Sequence, residues 1–147
     1  MLPFLNTGAV YVHGRDHRYR PLIVLNLERV MNFVPDVQDA IKLTCFVLSY
    51  VAEYMFIPGQ IENWVIICDL CKKDASAIPI GKLKQVMGIM QSAFRCRVVV
   101  NYLVNCPGSI TFLWGLVKGF LDSNTKKKIK IEKTNSPEDL PNHFNLS

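Results

Sequence analysis

Cys68 and Cys71 stand three positions apart at the end of an apolar run, with Asp69 and Leu70 between them. A C-x-x-C pair does disulfide exchange when it opens a helix directly after a strand, where the helix N-terminus favours the thiolate. Here Lys72, Lys73 and Asp74 follow, which is the composition of a loop. Structural zinc needs a second pair of ligands at similar spacing, and the remaining cysteines, Cys45, Cys96 and Cys106, do not form one. Asp69 closes the run Trp64 to Cys68, a place where α/β enzymes set working carboxylates. Neither G-x-G-x-x-G nor G-x-x-x-x-G-K-S/T accompanies it, so it reads as a turn or capping aspartate. His13 and His17 flank a charged turn and His143 lies in the closing segment, so all three read as surface histidines. Ser49, Ser76, Ser92 and Ser109 lack the G-x-S-x-G elbow of serine hydrolases. The expectation is a chain with no catalytic residues, no metal site and no cofactor.

The elements that would position any site follow from hydrophobic periodicity. Ala9 to His13 reads as a short strand, residues 14 to 20 as a charged turn, and Pro21 to Leu27 as a second strand at hairpin distance. Val37, Ile41, Leu48, Val51 and Met55 recur at helical spacing, and Pro58-Gly59 stops that helix. Trp64 to Cys68 is a continuous apolar run suited to a strand buried on both faces. Pro79 opens a helix whose one face is Ile80, Leu83, Met87 and Met90. Val98 to Val104 is a further apolar strand interrupted only by Asn101, and Ser109 caps a helix running to about Phe120. That helix is apolar nearly all round, which requires burial on two sides or a non-protein partner on one. Ile129 and Ile131 suggest a last strand, and Ser136 to Asp139 a helical turn. Strands alternating with helices imply parallel pairing with right-handed crossovers, and the first two strands add an antiparallel edge.

The 147 residues suit one domain with a real core; half are hydrophobic and 20% charged, which excludes disorder for most of the chain. The net charge of +5 comes largely from Arg15 to Arg20 and Lys126 to Lys133. Neither cluster interleaves aromatic residues as a base-stacking platform does, so nucleic acid is not the expected partner. Anionic membrane surfaces suit the same charge. Five cysteines without a regular framework fit a reducing, cytoplasmic setting. MLPFLNTG has no basic segment and no long apolar core, so no signal peptide is expected. The apolar stretches Leu43 to Ile57 and Ile110 to Leu121 are shorter than the ~20 residues of a spanning helix.

Five segments, in order, resemble one known family. These are His13 to Val24 with Arg20-Pro21; Ile66-Ile67-Cys68-Asp69-Leu70; Asn105-Cys106-Pro107 with the apolar helix and Phe120-Leu121-Asp122; Thr125 to Ile131; and Glu138 to Phe144 with Leu140-Pro141. Together they resemble the CRAL-TRIO lipid-binding domain, the family of retinaldehyde and tocopherol carriers and fungal phosphatidylinositol transfer proteins. The resemblance implies a single α/β domain over residues 1–147, with a mixed, mostly parallel sheet as the floor of a lipid pocket and the helix Ile110 to Phe120 as a movable gate. The helical N-terminal lobe common in the family has no counterpart here. By the same resemblance, the threonine and lysine that contact a phosphoinositol head fall on Thr125 and Lys128. Lys128 is equally one more lysine in a run of three. The family's inositol-holding glutamate falls on Cys96. Its phosphocholine-holding hydroxyl residues fall on Trp64 and Ile66, and two tyrosines on Val12 and Ile23, so a choline head is poorly supported.

The expectation is a carrier or sensor of one lipid, a phospholipid or phosphoinositide, peripherally associated with anionic membranes. Its tails would lie against Trp64, Ile66, Cys68, Val104, Ile110, Leu113, Trp114 and Val117. The alternative is a protein-interaction module on the same fold. Nothing in the sequence fixes an oligomeric state.

Overall fold

The apolar runs form five strands: β1 Val10–Arg15, β2 Pro21–Asn26, β3 Trp64–Asp69, β4 Val98–Val104 and β5 Ile129–Ile131. These come from a computed structural model that describes residues 1–71, 74–106, 108 and 110–131, without the side chains of Ala75, Ile110 and Leu113. The Ser109 cap, the helical turn expected at Ser136 to Asp139, the Leu140-Pro141 segment and His143 lie outside the described residues. Strand order across the sheet follows chain order, β1-β2-β3-β4-β5. β1 and β2 are antiparallel, and every later pair is parallel. The fold is therefore the mixed, mostly parallel α/β sheet that the sequence implies.

The helices are α1 Leu2–Leu5, α2 Leu27–Phe33, α3 Val37–Tyr54, α4 Ile80–Ala93, α5 Ile110–Val117 and α6 Ser123–Lys127. A 3-10 turn, Lys118–Phe120, continues α5. Three of these helices, α1, α2 and α6, go beyond the sequence expectation. Leu27 starts α2 instead of ending β2, because the Asn26 side chain accepts a hydrogen bond from the Arg29 N–H and caps a helix there. Asp122 does the same for α6, accepting from the Thr125 N–H. Asp36 caps α3 through the N–H groups of Gln38 and Asp39.

The unidirectional strand order has a strong consequence. Each right-handed crossover between successive parallel strands lands its helix on the same face when the order never reverses. Leu43, Val47 and Val51 of α3 pack with Val10, Ile23, Trp64 and Ile66, all on one face. Val117 of α5 packs on the same side with Leu27 and Leu70, against Cys68 and Leu103. The alternate residues Leu22, Val65, Val100, Tyr102 and Val104 form a separate apolar layer on the opposite face. Strand side chains alternate between faces, so neighbours in sequence belong to different layers.

The charged turn between β1 and β2 is held by one carboxylate. Asp16 Oδ1 accepts from the backbone N–H groups of Arg18 at 2.9 Å and Arg20 at 2.8 Å. Asp16 Oδ2 accepts from Arg20 Nε at 2.7 Å and pairs with the Arg20 guanidinium at 2.6 Å, with side-chain exposures of 0% and 11%. This lets Tyr19 take a left-handed backbone conformation, φ +61°. Burial alone raises the Asp16 pKa. The hydrogen bonds and charge of Arg20 and the Arg18 N–H outweigh burial and hold it below 3.8. The stability this carboxylate contributes is complete above its unfolded value and is lost as the pH falls through the lower folded one.

Asp16→Asn should therefore cost about 2–4 kcal/mol at neutral pH, since it leaves Arg20 half-paired in a buried turn. Urea unfolding of both proteins at pH 7 and pH 3 checks this, with the gap between them expected to narrow at the lower pH.

Candidate functional site

Helix α4 lies over the sheet with its apolar row Leu83, Met87 and Met90 turned inward, yet none of its residues is fully buried. The side chains border a void. The cavity between α4, α5 and the sheet has a volume of about 180 Å³. In that measure one water needs roughly 10–15 Å³, so the space holds about a dozen waters' worth of ligand. The floor is Ile23, Ile66, Cys68, Asn101 and Leu103. Trp114 and Val117 of α5 cover it. Methionine on the wall suits a site that must fit irregular apolar shapes, because the unbranched thioether repacks easily.

One corner of the cavity is polar, where Gln91, Arg95, Asp122, Asn124, Thr125 and Lys128 line it. Asp122 organises this corner. Its carboxylate accepts from Thr125 N at 2.7 Å and from the Thr125 hydroxyl at 2.9 Å, and its own N–H donates to Gln91 Oε1 at 3.0 Å. The hydrogen bonds from Thr125 come first among the influences that hold its carboxyl below the usual range, and the Arg95 charge adds to them. The Lys128 carbonyl accepts from Asn101 N at 2.8 Å, which joins the corner to the floor.

The structure brings together Ile66, Cys68, Trp114, Val117, Thr125 and Lys128 around this cavity. The side chains of Ile110 and Leu113 lie outside the described residues. Val104 is a correction. It points to the opposite face with Val65 and Val100, because Asn101 and Leu103 occupy the cavity-facing positions of β4. Trp64 has the right parity but does not line the cavity. It is fully buried at the start of β3, with ring centroids 5.5 Å from Phe56 and 5.8 Å from Phe94. Thr125 has its hydroxyl proton engaged by Asp122 and offers a phosphate only lone pairs while that bond lasts. The Lys128 ammonium makes no hydrogen bond or ion pair with the described residues. Arg95, Gln91 and Asp122 escaped the sequence reading because they meet only in space. Their one sequence signal is that Asp122 stands three residues before Thr125, the spacing of an N-cap.

Asp69 holds a turn. Its Oδ1 accepts from Cys71 N and from Asn105 Nδ2, each at 2.8 Å. Burial, followed by the nearby Asp69 charge and the Cys106 and Cys71 thiols, pushes the Cys68 pKa up to about 12. Burial likewise raises Cys71. Both shifts oppose the thiolate that redox exchange needs.

Helix α5 has two apolar sides with different surroundings. Trp114 and Val117 face the cavity, whereas Phe112 and Leu116 are 66% and 47% exposed. Lys118, Lys126 and Lys127 are exposed next to it in sequence. Among the described residues, no helix is long and apolar enough to cross a membrane.

Comparison with known proteins points the same way. The sequence model of the CRAL/TRIO domain matches residues 5–147. Clavesin-1 of Rattus norvegicus is 30% identical over 147 aligned positions, which take in 90% of this chain and 40% of that protein. Clavesin-1 of Xenopus laevis is 28% identical, over 90% of this chain and 43% of its own length. The chain thus spans less than half the length of these relatives. Among solved structures, Sfh5 superposes with a TM-score of 0.68 at 14% identity, over 86% of this chain and 49% of its own.

The cavity geometry predicts an order of thiol reactivity. At pH 8, maleimide should modify the exposed Cys96 first and spare Cys68 while the protein stays folded. Peptide mapping after timed labelling reads the order.

Proposed function

The chain belongs to the CRAL/TRIO domain family, whose members bind and transfer lipophilic ligands, and from that premise we propose that it carries or senses one lipid in the cavity under α5, without catalysing a reaction. The observation that carries this reading is the two-sided apolar character of α5. Its inner residues Trp114 and Val117 cover an apolar cavity, and its outer residues Phe112 and Leu116 meet solvent. Exposed Phe and Leu on a short helix weaken a water-facing surface, and they suit a helix that meets a bilayer when it opens.

The proposed cycle uses parts already described. Lys118, Lys126 and Lys127 draw the α5 edge to an anionic surface, at about 1 kcal/mol per lysine near the membrane. Phe112 and Leu116 enter the interface. α5 swings as a gate about the 3-10 turn Lys118–Phe120, a geometry often found at hinges. The Asp122 N–H bond to Gln91 keeps the far end on α4. A lipid exchanges and the gate closes. The space under α4 and α5 suits part of one chain; a two-chain phospholipid would need the two helices to part. Lys128 and Arg95 would take an anionic group at the polar corner.

Native mass spectrometry of the purified chain, followed by solvent extraction, tests the reading directly. A stoichiometric lipid supports it. A clean ligand-free mass, with no lipid taken up from vesicles, would replace it with a protein-interaction module on the same fold. Two substitution pairs separate the steps. Lys126→Glu with Lys127→Glu should weaken co-sedimentation with anionic vesicles by tenfold or more, to judge from ~1 kcal/mol per lysine. Phe112→Asp with Leu116→Asp should slow lipid exchange and leave the amount of lipid held unchanged, since neither side chain lines the cavity.

A further inference from the structure

One row of side chains crosses the whole sheet on its cavity side. By strand register it runs Val12, Ile23, Ile66, Asn101, Ile129. Four members are aliphatic and β-branched, and the fifth is an amide. Asn101 sits between Ile66 and Ile129 in the floor of the cavity. Its Oδ1 is buried and has no hydrogen-bond partner among the described residues. Its backbone N–H is already satisfied by the Lys128 carbonyl, so the side chain is not needed for strand pairing. Burying a carbonyl oxygen without a partner is unfavourable, and an isoleucine like its neighbours would fill the place without that cost. Groups that break a local rule in this way mark functional positions.

We propose that Asn101 is a ligand-binding residue that pairs with a hydroxyl on the bound lipid, and that the ligand is therefore a lipid alcohol whose hydroxyl rests on the cavity floor. This rests on the lipid-binding reading above. A carboxamide offers both an acceptor and donors, and a hydroxyl does the same, so the two are complementary whichever way the amide is turned. The apolar walls Leu83, Met87 and Trp114 would then take the hydrocarbon. The amide discriminates against analogues without the hydroxyl, because those leave it unpaired.

The test uses hexadecanol and its methyl ether, each displacing diphenylhexatriene from the cavity. The wild-type chain should prefer the alcohol by about fivefold to tenfold, the range one hydrogen bond supplies. Asn101→Leu should hold the ether at least as well as the wild type does and lose the preference. The ligand-free Asn101→Leu chain should also melt a few degrees higher, since a buried oxygen without a partner is gone. Equal displacement by both lipids in the wild type overturns the proposal, and so does a preference that survives in Asn101→Leu. A lower melting temperature for that variant assigns Asn101 a structural role and overturns it too. If diphenylhexatriene itself fails to bind the wild type, the lipid-binding reading fails and Asn101 falls with it. Binding of the probe without discrimination sinks the Asn101 assignment alone.

Discussion

The architecture depends on a strand order that never reverses. Because each crossover between parallel strands is right-handed, an order running β1 to β5 without a switch sends every connecting helix to one face. α3, α4 and α5 therefore compete for the same side of a five-stranded sheet. α3 settles into close contact and buries Leu43, Leu48 and Val51 almost completely. α4 and α5 lie over the remaining strands and leave a void beneath them. A doubly wound sheet would place its ligand at the point where strand order reverses. Among the described residues no such point exists, and the cavity lies under the helices.

The void is tolerated because the polar groups near it are mostly held elsewhere. Asp122 is occupied with capping α6 and joining α4, and Asp69 with its turn. What faces the space is chiefly aliphatic, aromatic or thioether. The thiol of Cys68 behaves as a small apolar group there, since burial keeps it protonated. On the proposed reading, such a site would select by size and apolar shape along most of its length, and by hydrogen bonding at the polar corner and at Asn101.

Much of this was legible in the sequence, and the failures have physical causes. Strands appeared where β-branched residues clustered, and the apolar helix before Phe120 declared an unusual environment through composition alone. The side of the sheet that Val104 faces is not legible in the sequence, because a strand apolar on both sides carries no alternation to reveal its parity. Asn101 held the missing clue: counting by twos from that one polar residue reaches Leu103. Trp64 is a different case. Its parity was right, but Phe56 and Phe94 arrive from distant segments to enclose it, and no local pattern announces that. α2 was hidden because Leu27 continues the apolar run of β2, while the Asn26 cap decides the boundary. Arg95 and Gln91 become neighbours of Thr125 only through the packing of α4 against the end of α5.

The alternation of the strands also divides labour in a way that bears on how such a domain changes over time. On β3, Ile66 and Cys68 meet the cavity, while Val65 and Ile67 belong to the opposite layer. On β4, Asn101 and Leu103 stand against Val100, Tyr102 and Val104 in the same fashion. One parity faces the cavity and the other holds the sheet's second layer together. Substitutions on the first parity can reshape or re-polarise the chamber while the second keeps its packing. The backbone between them is a partition, so a lineage can explore new cargoes one alternate position at a time without first giving up the sheet that makes the chamber possible.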